Sequence, residues 1–96
     1  GIWVEVLQDV ALRLLPVDPA EVKRALLGLR GAKLLRGARG VPAVDLDVAA
    51  EVVARIGDAA LAFGPELASL DVNPLWARGD QVEALDALCI WREPAD

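Results

Sequence analysis

"SLDVNPLWARGDQVEALD", residues 69–86, decides the fold. Two largely apolar runs flank Gly79-Asp80, a dipeptide suited to a two-residue hairpin with glycine at the first turn position. With that turn, Arg78 faces Gln81, Trp76 faces Glu83 and Asn73 faces Asp86. Strand residues two apart share a face, so Asp71 and Asn73 point the same way. Directly opposed residues have Cβ atoms about 5 Å apart. The register therefore gathers Asp71, Asn73 and Asp86 into one oxygen-rich cluster, the ligand type that Mg²⁺ takes alongside water and phosphate. Pro74 cannot donate to a ladder and marks an edge strand or a bulge. A slip of one residue would carry Asp86 to the opposite face. The plainer alternative is that Asp and Asn near strand ends line solvent, with Asn73-Pro74 starting an ordinary turn.

Working outward, residues 67–76 and 82–91 read as the two strands of this hairpin. Ahead of them, Asp45 can cap a long helix running to about residue 62 and ended by Gly64-Pro65. Ala49, Val52, Val53, Ile56, Ala60 and Phe63 form its apolar stripe. "GAKLLRGARGVPAVD", residues 31–45, is punctuated by glycine and reads as loop, with a short turn near Lys33 to Leu35. A first helix follows Asp18 as N-cap, with Pro19 at its first position and Glu21 completing a capping box. Val22, Ala25, Leu26 and Leu29 mark its buried face, and it fades at Gly28 or Gly31. "IWVEVLQDVALRLLP", residues 2–16, reads as two strands, about 2–7 and 10–15, joined near Gln8-Asp9. Ile2, Val4 and Val6 favour strand over the helical alternative for 2–15. The order β-β-α-α-β-β predicts an α+β fold: an antiparallel sheet of about four strands with two helices packed on one face. No repeat or linker divides the chain, so residues 1–96 are expected to form a single domain.

The 96 residues carry a net charge of −5, which speaks against a general nucleic-acid binder. Arg30, Lys33, Arg36 and Arg39 nevertheless cluster in an acid-free loop, suited to an anion or simply to solvent. That loop lacks the Walker A pattern. The sequence has no His, Thr or Tyr and a single Ser, Ser69. A Ser–His–acid triad, a His base and a His zinc site are therefore excluded within these residues. Carboxylates, Asn, Arg and Lys remain, a vocabulary for hard cations and phosphates. No uncharged run is long enough for a membrane span, and Glu5 and Asp9 interrupt any signal-peptide pattern. Cys89 stands alone, which favours a reducing, cytoplasmic setting and a place within a strand. Trp3, Trp76 and Trp91 suit core or interface anchoring.

"DVNPL" at 71–75 followed by "EALDA" at 83–87 resembles the "DINPL … ALDAR" end of the ATP-grasp domain in ADP-forming acyl-CoA synthetases. Acetyl-CoA synthetase (ADP-forming) is in that group, and succinyl-CoA synthetase beta chains are more distant relatives. "GIWVEVLQDVALRLLP" is similar to that family's "GGIFVEVLKDVAFRLAP", and "LLRGARGVPAVDLDVAAEVV" at 34–53 to its "LL.G.RG.PPAD...LA". The resemblance implies binding of Mg²⁺ and ATP/ADP, in enzymes that interconvert acyl-CoA, ADP and phosphate with acid, CoA and ATP. A histidine elsewhere in such enzymes carries the phosphoryl group. Asn73 and Asp86 match positions associated with Mg²⁺, and Asp71 the acidic partner of the E-x-N pattern. Glu5 and Arg13 match positions near nucleotide and phosphates; their plain alternative is a cross-sheet ion pair of small worth. Arg39 is a further candidate for an anionic ligand. Ser69 departs from the family's "ELDINPL", where a Glu precedes, and Trp3 and Trp76 also depart.

The resemblance further implies that this chain corresponds to the C-terminal part of a nucleotide-binding domain. The N-terminal ATP-grasp portion, with its phosphate-covering lysine loop, and the CoA-binding domain then act as partners. By itself the chain is expected to lack ligase turnover, and apolar surface left uncovered suits a homodimer. The rival reading is a stand-alone α+β interaction or regulatory module, such as the ATP-grasp part of a protein acetyltransferase. Neither nucleic acid nor membrane is an expected partner.

Overall fold

A computed structural model describes residues 9–37 and 40–94. They form three helices, α1 (Pro19–Leu27), α2 (Ala32–Leu35) and α3 (Leu46–Ala62), followed by four strands, β1 (Leu67–Val72), β2 (Leu75–Arg78), β3 (Gln81–Ala84) and β4 (Ala87–Trp91). The helices start where their caps dictate. Asp18 Oδ1 accepts the Glu21 amide at 2.8 Å, and Asp45 Oδ1 accepts those of Asp47 and Val48 at 3.0 and 3.2 Å. Each cap satisfies amides that the first helical turn leaves without partners. Gly64, at φ 86°, ends α3 in the left-handed region that glycine enters without penalty.

The strands lie in one long antiparallel ribbon. Arg78 pairs with Gln81, Trp76 with Glu83 and Leu75 with Ala84 in β2–β3. Gly79 has φ 60°, as the primed turns require. The same register resumes in β1–β4, from Val72 opposite Ala87 to Ser69 opposite Ile90, and shifts only between Ser69 and Leu67. Between the two ladders the Asn73 amide donates to the Asp86 carbonyl at 3.0 Å and the Leu85 amide to the Pro74 carbonyl at 3.0 Å. In a regular antiparallel ladder bonded pairs alternate with unbonded ones. Here two successive pairs are bonded, and the ladder breaks. Across the break the half-buried positions change phase: Leu70 and Val72 in β1, then Leu75 and Ala77 in β2. Pro74 is tolerated because both strands of a two-stranded ribbon are edges.

α1 packs on α3, and α3 in turn contacts β1 and β3. The core between the helices consists of Val17, Val22, Ala50 and Ala54, with Leu26 and Val53 packed against it. The buried face of α3 is centred on Ala49, Ala50, Ala54 and Gly57; of the expected stripe, Ala49 is buried and Val53 packs on the core, whereas Val52, Ile56 and Ala60 are only half-buried. Small side chains let α1 and the N-terminal segment come close, so the tightest contact belongs to them. Phe63 is half exposed and meets Trp91 edge-on, ring centroids 5.6 Å apart.

The α+β class, both long helices, the hairpin and its register agree with the sequence reading. The strand expected at 10–15 does not form. Residues 9–14 have no regular structure and cross the helix pair instead. A strand exists only beside a partner ladder, and these residues have none among those described. The strand expected at 2–7 lies outside the described residues. The four described strands therefore make two two-stranded sheets from the C-terminal third alone.

Candidate functional site

The break in the ribbon is where Asn73 and Asp86 stand opposite each other. Asn73 follows β1 directly and is held to Asp86 by the amide-to-carbonyl bond across the ribbon. Asp86 precedes β4, and its Oδ1 accepts the Ala87 amide at 2.9 Å, which fixes the carboxylate at the strand entrance. Asp71 pairs with Leu88, two residues further back along β1. Asp71, Asn73 and Asp86 are all exposed, with half-buried Val72 between the first two. The hairpin turn thus brings Asp86 back opposite Asn73, and Asp71 is likewise exposed two residues back along β1.

Among the described residues, ion pairs join Arg13 to Glu21, Lys23 to Asp47 and Arg55 to Glu51. None takes in Asp71 or Asp86, so neither carboxylate is neutralised by one of these cations. No three carboxylate, thiol or imidazole side chains among the described residues gather as a metal cage. The corner offers two carboxylates and one amide oxygen, all hard donors. Such a set fits Mg²⁺, which is held by few protein ligands and completed by water and phosphate.

Arg13 stands elsewhere. It lies in the irregular segment before α1, with Nε 3.6 Å from Glu21 Oε1 and Nη1 donating to the Leu12 carbonyl at 2.7 Å. It lines a largely apolar cavity of about 520 Å³ between this segment, α1 and α3, which also reaches Leu70 of β1. None of its described bonds reaches the corner of the ribbon. Glu5 and Arg39 lie outside the described residues. The basic loop is closed by two backbone bonds, from Val44 to the Leu35 carbonyl at 2.7 Å and from Asp45 to the Gly79 carbonyl at 2.6 Å. The second ties the N-cap of α3 to the hairpin tip, so loop, helix and ribbon share one anchor. The sequence reading did not foresee this bond, nor the role of Asp9, whose carboxylate accepts the Arg30 and Gly31 amides. Both join residues far apart in the chain, for which no local pattern exists.

A helix pair laid on a hairpin ribbon, with an oxygen-rich corner and a basic loop, defines a candidate phosphate- and cation-binding module. The chain belongs to the ATP-grasp domain family, whose pattern matches residues 1–90. It is 33% identical over 90 residues to the acetate–CoA ligase [ADP-forming] I subunit beta of Pyrococcus furiosus, covering 94% of this chain and 38% of that protein. It is 40% identical over 92 residues to a trans-feruloyl-CoA synthase from an unknown prokaryotic organism, covering 94% of this chain and 13% of the relative. Among solved structures it is similar to the dinucleotide forming acetyl-coenzyme A synthetase 1 of Ca. Korarchaeum cryptofilum, with TM-score 0.85 and 29% identity over 96% of this chain and 43% of that one. The same enzyme, with TM-score 0.84, is known in complex with coenzyme A and Mg-AMPPCP. The chain therefore spans less than half the length of these relatives.

Proposed function

We propose that this chain is the C-terminal portion of the nucleotide-binding domain of an ADP-forming acyl-CoA synthetase. The reaction served is acyl-CoA + ADP + phosphate ⇌ acid + CoA + ATP. The observation that supports this reading is the amide-to-carbonyl bond that sets Asn73 opposite Asp86, with Asp71 exposed nearby on β1. Asp71, Asn73 and Asp86 would hold Mg²⁺, and Arg13, Glu5 and Arg39 would face the nucleotide and its phosphates. Bound Mg²⁺ would supply positive charge against the phosphate oxygens. The chain's own contribution would be positional: the ribbon would present three oxygen donors to the metal, and the arginines would offer guanidinium donors to phosphate. The chain has no histidine to carry a phosphoryl group, in keeping with a role that needs partners. Those partners would be the N-terminal ATP-grasp portion and the CoA-binding domain. No helix among the described residues is long and apolar enough to cross a membrane, and the single Cys89 suits the cytoplasm.

The test is an NMR titration of the 96-residue chain with Mg²⁺, then Mg–ADP. Amide signals at Asp71, Asn73 and Asp86 should move, and Asp86→Ala should abolish the movement. Unmoved signals in the wild-type chain would overturn the metal reading. Acyl-CoA-dependent ATP synthesis by the isolated chain would overturn its purely positional role. A second reading, an interaction or regulatory module of the kind found in a protein acetyltransferase, is favoured by Leu88, Ile90 and Trp91, which are exposed along β4. It also allows pairing of two copies through that face.

A further inference from the structure

The segment 9–17 carries the candidate phosphate-facing residue Arg13 yet belongs to no helix or strand. No ladder determines its path, so side chains must. At its end Val17 is buried in the core, and Leu15 lies so close to α3 that a Cβ on Gly57 would sit 2.7 Å from its Cδ2. At its start Asp9 accepts the Arg30 amide on Oδ1 at 2.6 Å and the Gly31 amide on Oδ2 at 2.8 Å. Arg13 sits between these anchors with weak attachments of its own. Its 3.6 Å contact with Glu21 joins side chains 41% and 38% exposed, and its other bond goes to the neighbouring Leu12 carbonyl. Exposed ion pairs of this kind contribute little. A carboxylate that takes two backbone amides makes two charge-assisted bonds, the stronger kind. Gly31 suits the arrangement, because a Cβ there would come within 3.0 Å of Asp9 Oδ2.

We infer that Asp9 is the positioning residue for Arg13, clipping its segment onto the turn that opens the basic loop. This rests on the nucleotide reading of Arg13 and extends it to a side chain that touches no ligand. One carboxylate thereby sets two stretches relative to each other: the irregular run bearing Arg13 and the basic loop beginning at Arg30.

The experiment compares the wild-type 96-residue chain with Asp9→Ala, Asp9→Asn and Gly31→Ala. Hydrogen exchange at the Arg30 and Gly31 amides should quicken roughly tenfold in Asp9→Ala while α3 amides keep their rates. The Arg13 Nε signal should move in the same variant. Asp9→Asn, which keeps one acceptor, should fall between, and Gly31→Ala should weaken the clip from the opposite side. Unchanged exchange at both amides, or an unmoved Arg13 signal, overturns the inference. Added Mg–ADP separates the two readings. A wild-type Arg13 signal that ignores Mg–ADP defeats the nucleotide role of Arg13, while exchange and the Arg13 signal still decide the clip. If wild type responds and Asp9→Ala responds equally, Asp9 is merely structural and the positioning role fails.

Discussion

Single side chains at helix starts account for much of the local order. Asp18 and Asp45 each accept amides that would otherwise lack partners at the first turns of α1 and α3. Losing such a cap costs about 1 kcal/mol. Asp18→Ala should therefore lower the unfolding free energy by about that amount in a urea titration, and Asp18→Ser should restore most of it. An Asp18→Ala chain as stable as wild type would show that the cap contributes nothing. Both caps were legible in the sequence, because a cap is recognised by its own residue type and the few that follow. Asp9 was not: its oxygens bind amides more than twenty positions away, and beside Gln8 it reads as an ordinary turn residue.

The helices and the ribbon depend on how closely they approach. Ala50 is 1% exposed where α3 meets α1, and Ala54 and Gly57 continue that contact. A larger side chain has no room there. Ala50→Leu should destabilise the chain by about 1–3 kcal/mol through overpacking, despite leucine's good helix propensity. Thermal unfolding followed by circular dichroism checks this, and an unchanged midpoint would place the α1–α3 contact elsewhere. Periodicity located α3 but not its tightest face, since apolar side chains surround much of the helix and size decides which side can be approached. The ribbon is the opposite case. Its turn residues and alternation specified the register through Asn73 and Asp86, because a two-residue turn leaves one pairing.

Across the whole molecule, much apolar surface is uncovered. Leu12 and Leu14 are 84% and 91% exposed, and Leu88 and Ile90 lie outward on β4. The radius of gyration, 14.7 Å, exceeds the roughly 12–13 Å expected of a compact chain this long. Side chains that bury little contribute little. The double substitution Leu88→Lys, Ile90→Lys should change unfolding free energy by no more than about 1 kcal/mol and reduce any self-association seen by sedimentation. A large loss of stability would mean that these residues already pack within the chain.

What the sequence by itself determined is what nearby residues decide: where α1 and α3 begin, where α3 ends, the turn at Gly79-Asp80, and the pairing that sets Asn73 opposite Asp86. Family membership was legible too, in short motifs carried in order along the chain. Only the tertiary structure decided the path of residues 9–17, the face of α3 that packs, and the change of buried phase at Asn73-Pro74. Each of these depends on what lies alongside. A strand needs a partner, a helix face needs a neighbour of matching size, and a carboxylate clip needs amides brought from elsewhere in the chain.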